Sequence, residues 1–78
     1  MRDIRWNTVM LAEFRSLACL TADENEVLKD WARGDVDITA TATRLNMGTR
    51  KVDSLRESIR RKYDDVQIYT PLLPPRQT

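Results

Sequence analysis

The sequence predicts an all-α fold, a small four-helix domain that contains a helix-turn-helix and ends in an extended, Pro-rich C-terminal tail. Two observations carry that expectation. Apolar residues recur at helical spacing in four stretches, and the stretches are separated by capping or stop residues. Residues 38–59 also place small and apolar side chains where two helices crossing through a short turn need them.

The first helix is expected over residues 4–18, with Asp3 as its cap. Its apolar stripe is Trp6, Met10, Phe14 and Leu17, flanked by Val9 and Leu11, while Arg5, Thr8, Arg15 and Ser16 face away. The second opens on Thr21-Ala22-Asp23-Glu24, a capping box with its glutamate at the right spacing. It buries Val27, Leu28 and Trp31, and Gly34 supplies the C-terminal stop. The third spans residues 38–45 behind an Asp37 cap, with Ile38, Ala42 and Leu45 on one face. Thr39, Thr41 and Thr43 lower its intrinsic propensity, so packing must hold it.

Asn46-Met47-Gly48 then forms the turn. Asn46 stands where a left-handed residue is needed and tolerates that backbone better than most residues do. Thr49 is expected to cap the fourth helix, residues 50 to about 63, which buries Val52, Leu55 and Ile59 and continues its stripe to Tyr63. Ala42 must be small because this last helix crosses close to it. The expected core is therefore Trp6, Phe14, Leu17, Val27, Leu28, Trp31, Leu45, Val52, Leu55 and Ile59. Beyond Asp64-Asp65, residues 66–70 have strand-like side chains, and the prolines at 71, 74 and 75 force extended backbone. Pro71 to Pro74 has the spacing of a polyproline-helix ligand. The favoured expectation is that Tyr69, Leu72 and Leu73 pack back on the domain or on a partner chain.

A chain of 78 residues has room for one core of limited size, and its stability is expected to be marginal. With no His and one Cys it offers no usual metal-ligand set and no disulfide framework. No cofactor is implied. Cys19 reads as a small buried hydrophobe. No apolar run reaches the ~18 residues of a membrane span, and no signal-peptide core is evident, so a soluble cytoplasmic protein is expected. Oligomerisation is the remaining stabiliser. Residues 1–19 are read as an N-terminal packing or dimerisation helix, residues 20–63 as the helix-turn-helix unit and residues 64–78 as the extended tail, with a homodimer as the expected state.

A net charge of +1 conceals segregation. Residues 21–37 hold Asp23, Glu24, Glu26, Asp30, Asp35 and Asp37 against Lys29 and Arg33, a balance of −4. Residues 44–62 hold Arg44, Arg50, Lys51, Arg56, Arg60, Arg61 and Lys62 against Asp53 and Glu57, a balance of +5. A basic second half is the electrostatic footprint of a phosphate-binding face. The competing reading is an ordinary solvated helix with a basic end.

From Leu20 to about Tyr63 the sequence resembles the LuxR/GerE-type helix-turn-helix, related to the DNA-binding module of sigma factors. The likeness rests on Leu20-Thr21, Glu24, Val27-Leu28, Ala32 and Gly34, and then on Ala42, Leu45, Val52, Ile59 and Lys62. The whole chain also looks like small helix-turn-helix proteins of prophages and mobile elements. The family resemblance implies a recognition helix over residues 50–62 that enters the major groove. Three departures stand out. The loop after Gly34 is one residue longer, Thr41 replaces a branched apolar residue, and Asp53 and Glu57 occupy positions that are basic in the family.

The leading functional expectation is a small DNA-binding regulator of transcription whose partner is double-stranded DNA. Arg50, Lys51 and Ser54 are expected toward base edges, with Arg44, Thr49, Arg56, Arg60 and Lys62 nearer phosphates and Glu57 and Arg61 on the same outward face. The alternative is an interaction or oligomerisation module that uses the same fold without specific DNA binding. An enzyme is not expected. There is no His to act as a base and no Gly-rich phosphate loop, and Asp35-Val36-Asp37 reads as capping acid.

Overall fold

The computed structural model describes residues 4, 6–34 and 37–74. Four α-helices follow in order: α1 (Thr8–Leu17), α2 (Ala22–Ala32), α3 (Ile38–Leu45) and α4 (Thr49–Gln67). The other three helices all pack against α4. No strand occurs among the described residues.

Local chemistry sets most of the boundaries. The Thr21–Glu24 capping box is complete: the Glu24 N–H donates to the Thr21 hydroxyl at 3.1 Å, and the Thr21 N–H donates to Glu24 Oε1 at 2.9 Å. Gly34 follows α2 at φ +88°, a left-handed conformation that a side chain would strain. Asp37 caps α3 by accepting from the Ala40 N–H at 2.7 Å, and Asn46 ends it at φ 54°. The turn that follows is the one the sequence predicts.

Three boundaries differ from expectation. α1 begins at Thr8 rather than at residue 4, because the Asn7 side chain accepts from the Met10 N–H at 2.8 Å and caps it there. The expected cap, Asp3, lies outside the described residues, as do Arg5, Asp35, Val36 and residues 75–78. α4 begins one residue early: Thr49 is its first helical residue, and Gly48 is an N-cap with no side-chain hydrogen bond. α4 also runs on to Gln67 through residues that look strand-like. Val66 falls on the buried stripe of Val52, Ile59 and Tyr63 and packs against the core, so helical period overrides β-propensity.

The core centres on four rings. Trp6 lies 5.2 Å from Phe14, 5.9 Å from Trp31 and 5.7 Å from Tyr63, and Phe14 lies 5.9 Å from Tyr63. The Trp6 contacts to Trp31 and Tyr63 are edge-on, the arrangement that ring quadrupoles favour. Val27, Leu28, Val52 and Ile59 are fully buried around them. Trp6, Leu45 and Leu55 pack against this cluster but are only partly buried. Leu17, expected inside, is 44% exposed, because α1 ends there and its last turn leaves the cluster. Cys19 is exposed in the connection from α1 to α2 rather than buried.

Residues 68–74 form turns without helix or strand and fold back onto the domain. Leu73 is buried in the same cluster as Ile4, the Tyr63 hydroxyl donates to the Pro74 carbonyl, and the Thr70 hydroxyl donates to Glu13 Oε2 at 2.6 Å. Leu73 thus packs inward as expected, whereas Tyr69 and Leu72 stay exposed. Among the described residues no helix is long and apolar enough to cross a membrane.

Candidate nucleic-acid interface

The outward face of α4 follows from its inward one. Val52, Ile59 and Tyr63 fix the buried side, and Arg50, Ser54, Glu57 and Arg61 form the exposed stripe opposite. Lys51 flanks the stripe on one side and Asp53 on the other. Thr49 is exposed in the first turn.

Four of the expected phosphate-facing residues are engaged elsewhere. Arg44 reaches from α3 to α2, where its Nε donates to Asp30 Oδ2 at 2.8 Å, Nη1 to Glu26 Oε1 at 3.2 Å and Nη2 to the Glu26 carbonyl at 3.0 Å. Lys62 Nζ donates to Glu24 Oε1 at 2.5 Å and to the Cys19 carbonyl at 2.6 Å. Ser58 completes that carboxylate's shell, donating to Glu24 Oε2 at 2.5 Å. The guanidinium carbons of Arg56 and Arg60 lie 5.2 and 5.1 Å from the centre of the Trp31 ring, within cation–π range.

These pairings shift the acids. Burial pushes the Glu24 carboxyl up, but hydrogen bonds from Lys62, Ser58 and the Thr21 N–H outweigh it and hold the carboxyl at about 2. Burial likewise acts against Asp30, and the Arg44 guanidinium more than offsets it, leaving that carboxyl below its ordinary value. Lys29 and Arg44 lower Glu26 in the same way. Asp30 and then Glu26 raise Arg44 in return.

Much of the charge segregation is therefore internal. The acidic α2 segment and the basic α3–α4 segment pair with each other across the fold. On α4 the exposed cations that make no ion pair among the described residues are Arg50, Lys51 and Arg61, so the outward face is far less basic than the sequence balance of +5 suggests.

What remains is polarised along α4. Its first turn contains no acid and carries Arg50 and Lys51, and its last turn contains no base and includes Asp64 and Asp65. Both ends oppose the helix dipole, which favours acids at the N-terminus and bases at the C-terminus. The uncapped N-terminus adds free amide groups to the positive end. Beside it lies an open groove of about 480 Å³ lined by Thr39, Thr43, Asn46 and Thr49 among others. Sequence reasoning did not place Thr39 and Thr43 at this site. Their i, i+4 spacing is the available signal, and it is masked by their low helix propensity.

No family model, curated protein or solved structure matches the chain.

Proposed function

We propose that this chain is a small helix-turn-helix protein that binds duplex DNA through the first two-thirds of α4 and acts as a transcriptional regulator. The observation that carries the reading is the arrangement of charge on α4. Two exposed cations sit at the positive end of an uncapped helix, where they cost stability and serve no partner within the fold. Phosphate is the ligand that such an end attracts. Asp64 and Asp65 repel phosphates, so α4 enters the groove N-terminus first, with its acidic end directed away.

Titration against duplex DNA at several salt concentrations tests this. The three free cations of α4 limit the slope of log affinity against log salt to about −3 for one copy and about −6 for two. Arg50→Ala is expected to weaken binding and relax sequence preference. Arg60→Ala and Lys62→Met are expected to lower stability and leave the slope unchanged, since those side chains serve Trp31 and Glu24. Undetectable duplex binding at low salt would remove the proposal.

The assembly expected with this function is a homodimer. Val9 and Leu17 lie one turn either side of Glu13, which holds Thr70, and the Leu72 N–H donates to the Thr70 hydroxyl. Val9, Leu17, Leu72, Ile68 and Tyr69 are 44–78% exposed, an apolar surface of the kind that marks partner sites. A two-fold pair also doubles a sparse set of phosphate contacts. Sedimentation is expected to show a dimer, and a monomer at high micromolar concentration would refute it. The same apolar face favours a protein-interaction module as the second reading should duplex binding fail.

A further inference from the structure

We propose that Glu57 reads a base and makes α4 prefer cytosine at the centre of its contact. The proposal rests on the DNA-binding reading above and adds to it the chemistry of one base pair. Glu57 lies in the middle of the outward stripe, seven residues after Arg50 and four before Arg61. Any approach that places this stripe in the major groove puts the Glu57 carboxylate against base edges.

The carboxylate is also held in place. Its Oε2 accepts from Arg60 Nη1 at 3.2 Å, while the Glu57 side chain remains 57% exposed. The Arg60 side chain is itself only 19% exposed, and its guanidinium lies over Trp31, a core residue. Glu57 is thus tied through Arg60 to the interior of the domain. Its Oε1 has no partner among the described residues and is free to accept.

A carboxylate is acceptor-only. In the major groove guanine shows two acceptors and thymine an acceptor and a methyl group, so both edges repel it. Adenine offers its N6 amino group beside the acceptor N7. Cytosine offers its N4 amino group without an adjoining acceptor, and it is the edge a carboxylate selects first. Arg50 and Arg61 on the same stripe donate only, and guanine is the edge that suits a guanidinium. The stripe therefore alternates donor, acceptor and donor, which reads as a pattern of guanine and cytosine rather than as uniform attraction to phosphate. Asp53 sits to one side of this stripe with a shorter side chain and makes no hydrogen bond or ion pair through it among the described residues.

The test is selection of bound sites from a randomised duplex pool with the full chain, comparing wild type, Glu57→Gln and Glu57→Ala. Each selection is followed by titration against duplexes that differ at one base pair. Thermal melting confirms that the variants fold. Wild type is expected to favour cytosine at one position by roughly tenfold, in the range of a single good base contact. Glu57→Ala should lose that preference while binding the duplexes without cytosine at that position more tightly, since a charge that repels phosphate is gone. Glu57→Gln should move the preference to adenine, the base a carboxamide reads with two hydrogen bonds. If wild type and Glu57→Ala select the same site with the same discrimination, Glu57 does not read a base and the DNA-binding reading stands. If no protein enriches any duplex above the input pool, the DNA-binding reading itself fails.

Discussion

Phe14→Ala is expected to remove about 3–5 kcal/mol of folding stability, the cost of truncating a fully buried aromatic side chain. For a domain of 78 residues the whole stability is on the order of 4–12 kcal/mol, so this one change consumes much of it. The size follows from what the ring touches. Phe14 contacts both Trp6 and Tyr63, and through them it joins α1, α4 and the segment preceding α1. No neighbouring side chain can fill the space without moving several elements, and a cavity that cannot collapse is the costly kind. Urea unfolding followed by tryptophan fluorescence measures the loss. A value below ~1 kcal/mol would show that the ring cluster is not packed as described.

The second large effect is expected in acid. Glu24 titrates at about 2 in the folded chain against an ordinary value of 4.5. Its folded pKa is depressed, so the unfolded chain takes up the proton first as pH falls. The stability it contributes is fully present above about 4.5 and is lost progressively as pH falls toward 2. The shift corresponds to at most about 3 kcal/mol, and the half-buried position of Lys62 argues for somewhat less. Glu26 and Asp30 are shifted the same way, so wild type should lose more than this single contribution. Glu24→Gln isolates it. The variant should be less stable than wild type at neutral pH, and the gap should narrow between pH 4.5 and 2. A gap that stays constant across that window would mean that Glu24 is not the paired carboxylate described here.

Features that depend on neighbours in sequence were legible before the structure was known. The Thr21–Glu24 box, the Gly34 stop, the Asp37 cap and the left-handed Asn46 each need only a few residues of context, and the structure places them as expected. The limits of α1 and α4 were less so. A helix end is a competition between local caps and distant packing, and Val66 sides with the core. The candidate interface was the least legible part. Whether a base on α4 faces solvent or α2 depends on carboxylates far along the chain, such as Glu24, which lies 38 residues from Lys62. Helical period separates inside from outside, but it does not show that Arg56 and Arg60 bend over Trp31. Opposite charge balances in two neighbouring segments are the visible sign of internal pairing, but in sequence they look the same as a charged surface.

Ile4 and Leu73 stand near opposite ends of the described chain and are buried in one cluster. A growing polypeptide therefore cannot close this core until residue 73 has left the ribosome. Until then the emerging helices expose the Trp6, Phe14 and Tyr63 rings, which only the complete fold buries. Closure of the core consequently waits on its last-made member, and the nascent chain passes through a stage with exposed aromatic surface that chaperones recognise.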